Sequence, residues 1–196
     1  MMKSIAQSEL DRKRFVYSDI GFILLQQVVE AVTGKTLDAY LVSEFYRPMG
    51  LEHTLFQPLN RYKKADIMPT AANDYLRRQD LCGYVHDEAA AFMGGVSGNA
   101  GLFSTAQELG KIYQMILNEG ELDGKRYLRP ETCRIFTTEK SAVSHRGLGY
   151  DKPNLKDPKA NACASSAPAS VYGHTGFTGT CAWVDPENDL VYIFLS

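Results

Sequence analysis

What this chain lacks narrows its chemistry first. It has no excess of positive charge: 21 Lys and Arg against 23 Asp and Glu leave a formal net charge of −2. That balance gives no general attraction to nucleic acid or to an anionic membrane surface. No basic stripe interleaved with aromatics offers a nucleic-acid footprint. The longest apolar stretch, Ile20 to Val32, is interrupted by Gln26, Gln27 and Glu30 and is too short and too polar to span a bilayer. The first residues, MMKSIAQSELDRKRF, carry no apolar core of a secretory signal. The residues themselves do not decide the compartment. Cysteine is sparse and scattered: Cys82, Cys133, Cys163 and Cys181 form no C-x-x-C pair, which disfavours a zinc ribbon. They read as four free thiols, with one disulfide left open. The Gly-rich stretch GGVSGNAG is followed by no G-K-S/T, so a Walker phosphate loop is excluded, and close packing of a loop is the better reading.

What is present is an ordinary globular balance, 44% hydrophobic and 22% charged over 196 residues, enough for one large domain or two small ones. From Ile20 the positions Ile20, Ile23, Leu24, Val28, Ala31 and Val32 repeat at helical spacing and predict one buried stripe, with Gly34 as C-cap. A second helix is expected from about Leu37 to Tyr46, with Thr36 as N-cap and Pro48 ending it. The run PLNRYKKADIMPTAANDYLRRQD is polar and reads as a long irregular excursion. A helix follows from about Ala106 to Asn118, where Thr105 and Glu108 have capping-box spacing and Gly120 closes it. Pro130 suits the first turn of a further helix, through about Thr137.

Past Arg146 the character changes. GLGY reads as a short strand, and residues 151–170 as a flexible surface loop. Then Val171-Tyr172, a Gly-rich bend, CAWV, a DPEND turn and DLVYIFL form a β-hairpin signature. The final apolar run, Leu190 to Leu195, stops one residue before the chain does, and its faces need cover. Such a strand is expected in a fragment, with self-association through exposed sheet edges as one way to cover it.

Three short segments carry chemistry. In FVYSDIGF, Asp19 is a good N-cap and Tyr17 a hydrophobic staple when the segment is taken alone. The functional reading makes Tyr17 a general acid/base, which requires a neighbouring cation because free tyrosine titrates near about 10. In GHTGF, a glycine at a strand edge lets a ligand approach the backbone, and the Phe177 amide then faces a developing oxyanion. Taken alone, the same residues His174, Thr175 and Gly176 read as a bulge at the start of a hairpin. His86-Asp87-Glu88 reads as helix capping and surface charge rather than as a metal cluster.

Together, and in this order, Tyr17-Ser18-Asp19 before a helix, GNAGLFSTA before another, and His174-Thr175-Gly176 before a terminal hairpin resemble the serine β-lactamase and penicillin-binding protein superfamily. The likeness is to its class C β-lactamase-like esterases and peptidases. There the second motif is Tyr-x-Asn and the third Lys-Thr-Gly or His-Thr-Gly, so Asp19 stands where Asn is usual. YVHDEAAAFMGGVSGNAGLFSTA resembles a subgroup found beside glycoside hydrolase modules in bacteria, which implies fusion to other domains. The resemblance implies an α+β, β-lactamase/transpeptidase-like fold, a periplasmic or cell-envelope setting, and serine acyl transfer through an acyl-enzyme.

One family part is missing. The nucleophile lies in S-x-x-K, and none of the serines here has Lys three residues on; the nearest pattern, Thr137-Thr138-Glu139-Lys140, begins with Thr and lies after Tyr17. Only 16 residues precede Tyr17. The expectation is therefore a single partial domain over 1–196, truncated at both ends, mainly helical over about 20–145 and sheet-forming over 146–196. Tyr17, Asp19 and His174 are its catalytic candidates, and Thr175, Gly176 and Phe177 contact substrate. The substrate class is an ester, a β-lactam or a peptidoglycan-like peptide, with no cofactor and no metal. The competing class is a non-catalytic binding module that kept the pocket; a metal hydrolase using His86, His174 and cysteines comes third.

Overall fold

The computed structural model describes residues 5, 7, 15–138 and 141–196. The lead-in around Ser4 and Ser8 and the Glu139-Lys140 pair lie outside the described residues. The fold is α+β, and the chain gathers into two compact units: one up to Tyr46 together with Leu55–Phe103, the other Arg47–Thr54 together with Ser104–Ser196.

In the first unit, α1 spans Ile20–Thr33 and ends at Gly34, whose left-handed backbone (φ 68°) lets its amide reach the Glu30 carbonyl. The expected apolar stripe is not the buried face: Ile23 and Gln26 are buried, whereas Ile20, Leu24, Val28 and Val32 are exposed. The buried face carries a polar contact. Gln26 accepts from the Gly98 amide (3.1 Å) and donates to the Val96 carbonyl (3.4 Å), drawing the Gly-rich loop onto the helix. The close-packing reading of GGVSGNAG therefore holds. α2 (Leu37–Leu41) continues as a π-helical turn, Val42–Tyr46, that buries Tyr46. Burial pushes the Tyr46 phenol up to about 12.

The polar excursion after residue 58 is not irregular. It holds a hairpin of β2 (Pro69–Asp74) and β3 (Gln79–Cys82), while β1 (Leu55–Phe56) pairs with β4 (Leu102–Phe103). The hairpin hides from a period-2 search because its register shifts twice. Its turn is held from inside: buried Asp74 accepts from the Arg77 amide (2.6 Å) and from Arg77 Nη1 (3.2 Å). α3, Glu88–Phe92, starts with Asp87 accepting from the Ala90 amide at 2.7 Å.

In the second unit, α4 runs Ala106–Leu117, β5 (Glu121–Leu122) and β6 (Lys125–Arg126) form a small ribbon, and α5 runs Pro130–Thr137 with Pro130 at its first turn. A three-stranded antiparallel sheet closes the chain: β7 (Tyr172–Thr175), β8 (Cys181–Asp185) and β9 (Leu190–Phe194). The register sets Tyr172, His174, Ala182, Val184, Val191 and Ile193 on one face by strand alternation. β9 packs that face on α4. Its other face leaves Leu190, Tyr192 and Phe194 about half exposed at the sheet edge. GLGY is not a strand. The Leu148 amide donates to the Phe136 carbonyl (2.8 Å) and Gly147 to Tyr150 (3.0 Å), so the segment folds onto the end of α5 instead of joining a ladder.

The capping box is half made. Thr105 Oγ1 accepts from the Glu108 amide at 3.3 Å, but the Glu108 carboxylate does not return to Thr105. Buried Glu108 instead accepts from the Glu52 amide (2.8 Å), the His53 amide (3.0 Å) and Thr54 Oγ1 (2.6 Å). Those donors tie Arg47–Thr54 into this unit although the chain between lies in the other. Burial raises the Glu108 carboxyl, yet the hydrogen bonds from Thr54, His53 and Glu52 outweigh it and hold it below its ordinary 4.5. A depressed carboxyl contributes stability that is present above its unfolded-state value and is lost as pH falls through the folded one. Urea unfolding should therefore show Glu108→Gln less stable by roughly 2 kcal/mol at pH 7. The deficit should shrink as pH drops below 4.5; an unchanged midpoint at pH 7 would refute the clamp.

Candidate active site

Tyr17 and Asp19 belong to the first unit, His174 to Phe177 to the second. Tyr17 lies on the non-helical lead into α1 and is 57% exposed, so it is not a buried staple. Asp19 occupies the N-cap position, but its side chain makes no capping bond. The reason is its backbone: φ −70° and ψ −23° are already helical, whereas a capping carboxylate works from an extended backbone. The Asp19 carbonyl accepts from the Phe22 and Ile23 amides, and Ser18 Oγ takes the Ile20 amide at 3.3 Å. The carboxylate is thus not spent on capping its helix.

His174 and Thr175 end β7. Gly176 begins the turn into β8: its amide donates to the Thr180 carbonyl (2.7 Å), and the Gly179 amide returns to the Gly176 carbonyl (3.1 Å). A Cβ on Gly176 would meet Thr180 Oγ1 at 2.2 Å. The close approach that this glycine permits is therefore within the chain, to Thr180. Thr175 is exposed and the Phe177 ring is 92% exposed at the turn.

The neighbours of His174 are ones that sequence reasoning missed. Arg146 Nη1 lies 3.0 Å from His174 Nε2, and Arg146 Nη2 lies 3.0 Å from Asp151 Oδ2. His145 Nε2 sits 3.1 Å from the other Asp151 oxygen. Asp151 is buried, and its backbone pairs with Gly173 in both directions, at 2.7 and 3.0 Å. Beneath His174, Tyr172 packs edge-on against Tyr150, 5.2 Å between ring centroids, and burial pushes both phenols well up. The only signal in the sequence was the cluster S-H-R-G-L-G-Y-D; what links it to β7 is a bridge across some twenty residues of loop.

His86, Asp87 and Glu88 act locally, as expected of capping and surface charge. His86 Nε2 is 3.6 Å from Asp74, Asp87 caps α3, and Glu88 accepts from Tyr75 Oη at 2.8 Å. All four cysteines are free thiols. Among the described residues, no group of three or more His, Cys, Asp and Glu is placed to hold a metal ion.

With this geometry in view, the likeness to known proteins is specific. A beta-lactamase family model matches residues 1–196. This chain belongs to the beta-lactamase family. It is 37% identical over 195 residues to a putative D-alanyl-D-alanine carboxypeptidase of Escherichia coli K12, covering 93% of this chain and 45% of that protein. It is 36% identical over 189 residues to an N-acetylmuramyl-L-alanine amidase of Bacillus subtilis, covering 90% and 43%. The chain thus spans less than half the length of these relatives. Among solved structures, a beta-lactamase from Mycobacterium bovis aligns with a TM-score of 0.61 at 20% identity, over 92% of this chain and 55% of that one. A penicillin-binding protein homologue from Pyrococcus abyssi aligns with a TM-score of 0.63 at 18% identity, over 94% and 39%. These structures share the β-lactamase/transpeptidase-like fold.

The β7 wall of this family member depends on a missing side chain. A Cβ on Gly173 would meet the Ala182 carbonyl at 2.1 Å and Trp183 Cε3 at 2.6 Å. Gly173→Ala should cost about 2–3 kcal/mol in urea unfolding; a loss under about 0.5 kcal/mol would mean that β7 and β8 do not approach this closely.

Proposed function

We propose that this chain carries the Tyr-x-Asp and His-Thr-Gly parts of a serine acyl hydrolase that acts on an ester, a β-lactam or a cell-wall peptide through an acyl-enzyme. The observation that carries the reading is His174-Thr175 at the end of β7, turning at Gly176, in a chain that the family model matches throughout. Two relatives bear the names of a D-alanyl-D-alanine carboxypeptidase and an N-acetylmuramyl-L-alanine amidase, which favours a peptidoglycan-like substrate.

The chemistry in this reading is acyl transfer. A serine attacks the carbonyl, the leaving group departs, and water releases the acyl group. Tyr17 relays the serine proton, with its phenol favoured as phenolate by a neighbouring cation. Thr175 and the Phe177 amide face the substrate. This chain contains no S-x-x-K, so neither the nucleophile nor that cation comes from it. The same absence favours the second reading, a binding module that retains the pocket without turnover.

Asp19 shapes the specificity. Asn donates a hydrogen bond to an amide carbonyl, whereas ionised Asp only accepts. An Asp here favours esters or cationic groups over β-lactams.

One set of assays tests both points. The chain alone should form no acyl-enzyme with a fluorescent penicillin and should leave nitrocefin and p-nitrophenyl esters intact; labelling or turnover would overturn the assignment of the nucleophile to another segment. In a longer protein that includes an S-x-x-K segment, Tyr17→Phe should lower kcat by on the order of 100-fold or more. No hydrolysis by that protein would favour the binding module. Asp19→Asn in the same protein should raise nitrocefin turnover relative to ester turnover, and an unchanged ratio would sink the specificity argument.

A further inference from the structure

We infer that Arg146 is a positioning residue for His174: it fixes the imidazole as the Nδ1–H tautomer and takes His174 out of acid–base chemistry. The inference deepens the reading above and rests on it for its bearing on catalysis, though not for the geometry.

Both ring nitrogens of His174 are spoken for. Nδ1 lies 2.6 Å from the Thr175 carbonyl oxygen, which can only accept, so Nδ1 carries the hydrogen. Nε2 lies 3.0 Å from Arg146 Nη1, which can only donate, so Nε2 offers its lone pair. The two contacts together fit one species, the neutral Nδ1–H imidazole. A hydrogen on Nε2 would point at the guanidinium.

Arg146 is itself held. Its Nη2 donates to Asp151 Oδ2 at 3.0 Å, and its amide donates to Ser144 Oγ at 3.2 Å. Asp151 is saturated on the other side: Oδ1 takes the Lys152 amide (2.9 Å) and faces His145 Nε2 (3.1 Å). The Asp151 backbone pairs both ways with Gly173, the residue before His174. A closed ring results, from His174 to Arg146, to the Asp151 carboxylate, to the Asp151 backbone, to Gly173 and back along β7. The position of the guanidinium is therefore set by strand pairing, not by the freedom of a surface arginine.

The consequence is a division of labour. A general base needs a free lone pair within reach of the proton it takes. The lone pair on His174 Nε2 is committed to Arg146. His174 then acts as a hydrogen-bonded wall, and proton relay in the proposed reaction falls to Tyr17.

The test is imidazole 15N NMR on the whole chain, with His174 assigned among the four histidines by loss of its signals in His174→Gln. The wild-type chain should show His174 as the Nδ1–H tautomer at neutral pH. Arg146→Met should let the Nε2–H tautomer appear, and Arg146→Lys, which keeps a donor, should restore the wild-type pattern. An Nε2–H tautomer in the wild type, or an Arg146→Met spectrum identical to that of the wild type, would overturn the inference; the first of these overturns it even where Arg146→Met fails to fold. The functional reading fails separately: unaltered ester hydrolysis by His174→Asn in the longer protein would remove His174 from the site and leave its tautomer untouched.

Discussion

Asp151 is the residue on which the histidine wall rests. It is buried, and a buried carboxylate is tolerated only when its lone pairs are filled. Arg146, His145 and the Lys152 amide fill them, while the Asp151 backbone holds Gly173. One residue thereby joins a loop to a strand through its backbone and orders two histidines and an arginine through its side chain. The same economy governs Glu108, whose carboxylate gathers two amides and a hydroxyl from Glu52 to Thr54 and so defines which residues belong to the second unit. Glu108 joins segments more than fifty residues apart through its carboxylate, whereas Asp151 reaches its distant partner, Gly173, through its backbone.

The two motif segments, one in each compact unit, are built differently. Tyr17 and Asp19 stand just before a helix whose first amides are taken by Ser18 Oγ and the Asp19 carbonyl, and the Asp19 carboxylate makes no capping bond. His174 and Thr175 stand on a strand whose neighbours are specified residue by residue: Gly173 admits Trp183, Tyr172 meets Tyr150, and Gly176 admits Thr180.

Legibility followed the range of the interactions. α1 and its Gly34 cap, α4 and its Thr105 cap, Pro130 at the start of α5, and the CAWV and DLVYIF strands were readable, because each depends on spacing within about a turn or on strand alternation. The β2–β3 hairpin was not, since its strands are polar, its register slips, and its turn is stabilised by a buried Asp74–Arg77 contact. GLGY was misread because glycines there serve a fold-back onto Phe136 and not a ladder. The buried face of α1 departs from the apolar spacing, since it carries Ile23 and the polar Gln26, which holds the Gly-rich loop 70 or more residues away in sequence.

By itself the sequence determined the main helices and the terminal strands, the α+β class, the family carried by Tyr17, the Gly-rich run and His174-Thr175-Gly176, and the absence of S-x-x-K. These are properties of local spacing and of residue identity. Only the tertiary structure decided what His174 touches. Arg146 and Asp151 reach it because Asp151 pairs with Gly173 across a long loop, and no local periodicity encodes which distant backbone a residue will meet. The tautomer, and with it the chemistry open to the histidine, follows from that pairing.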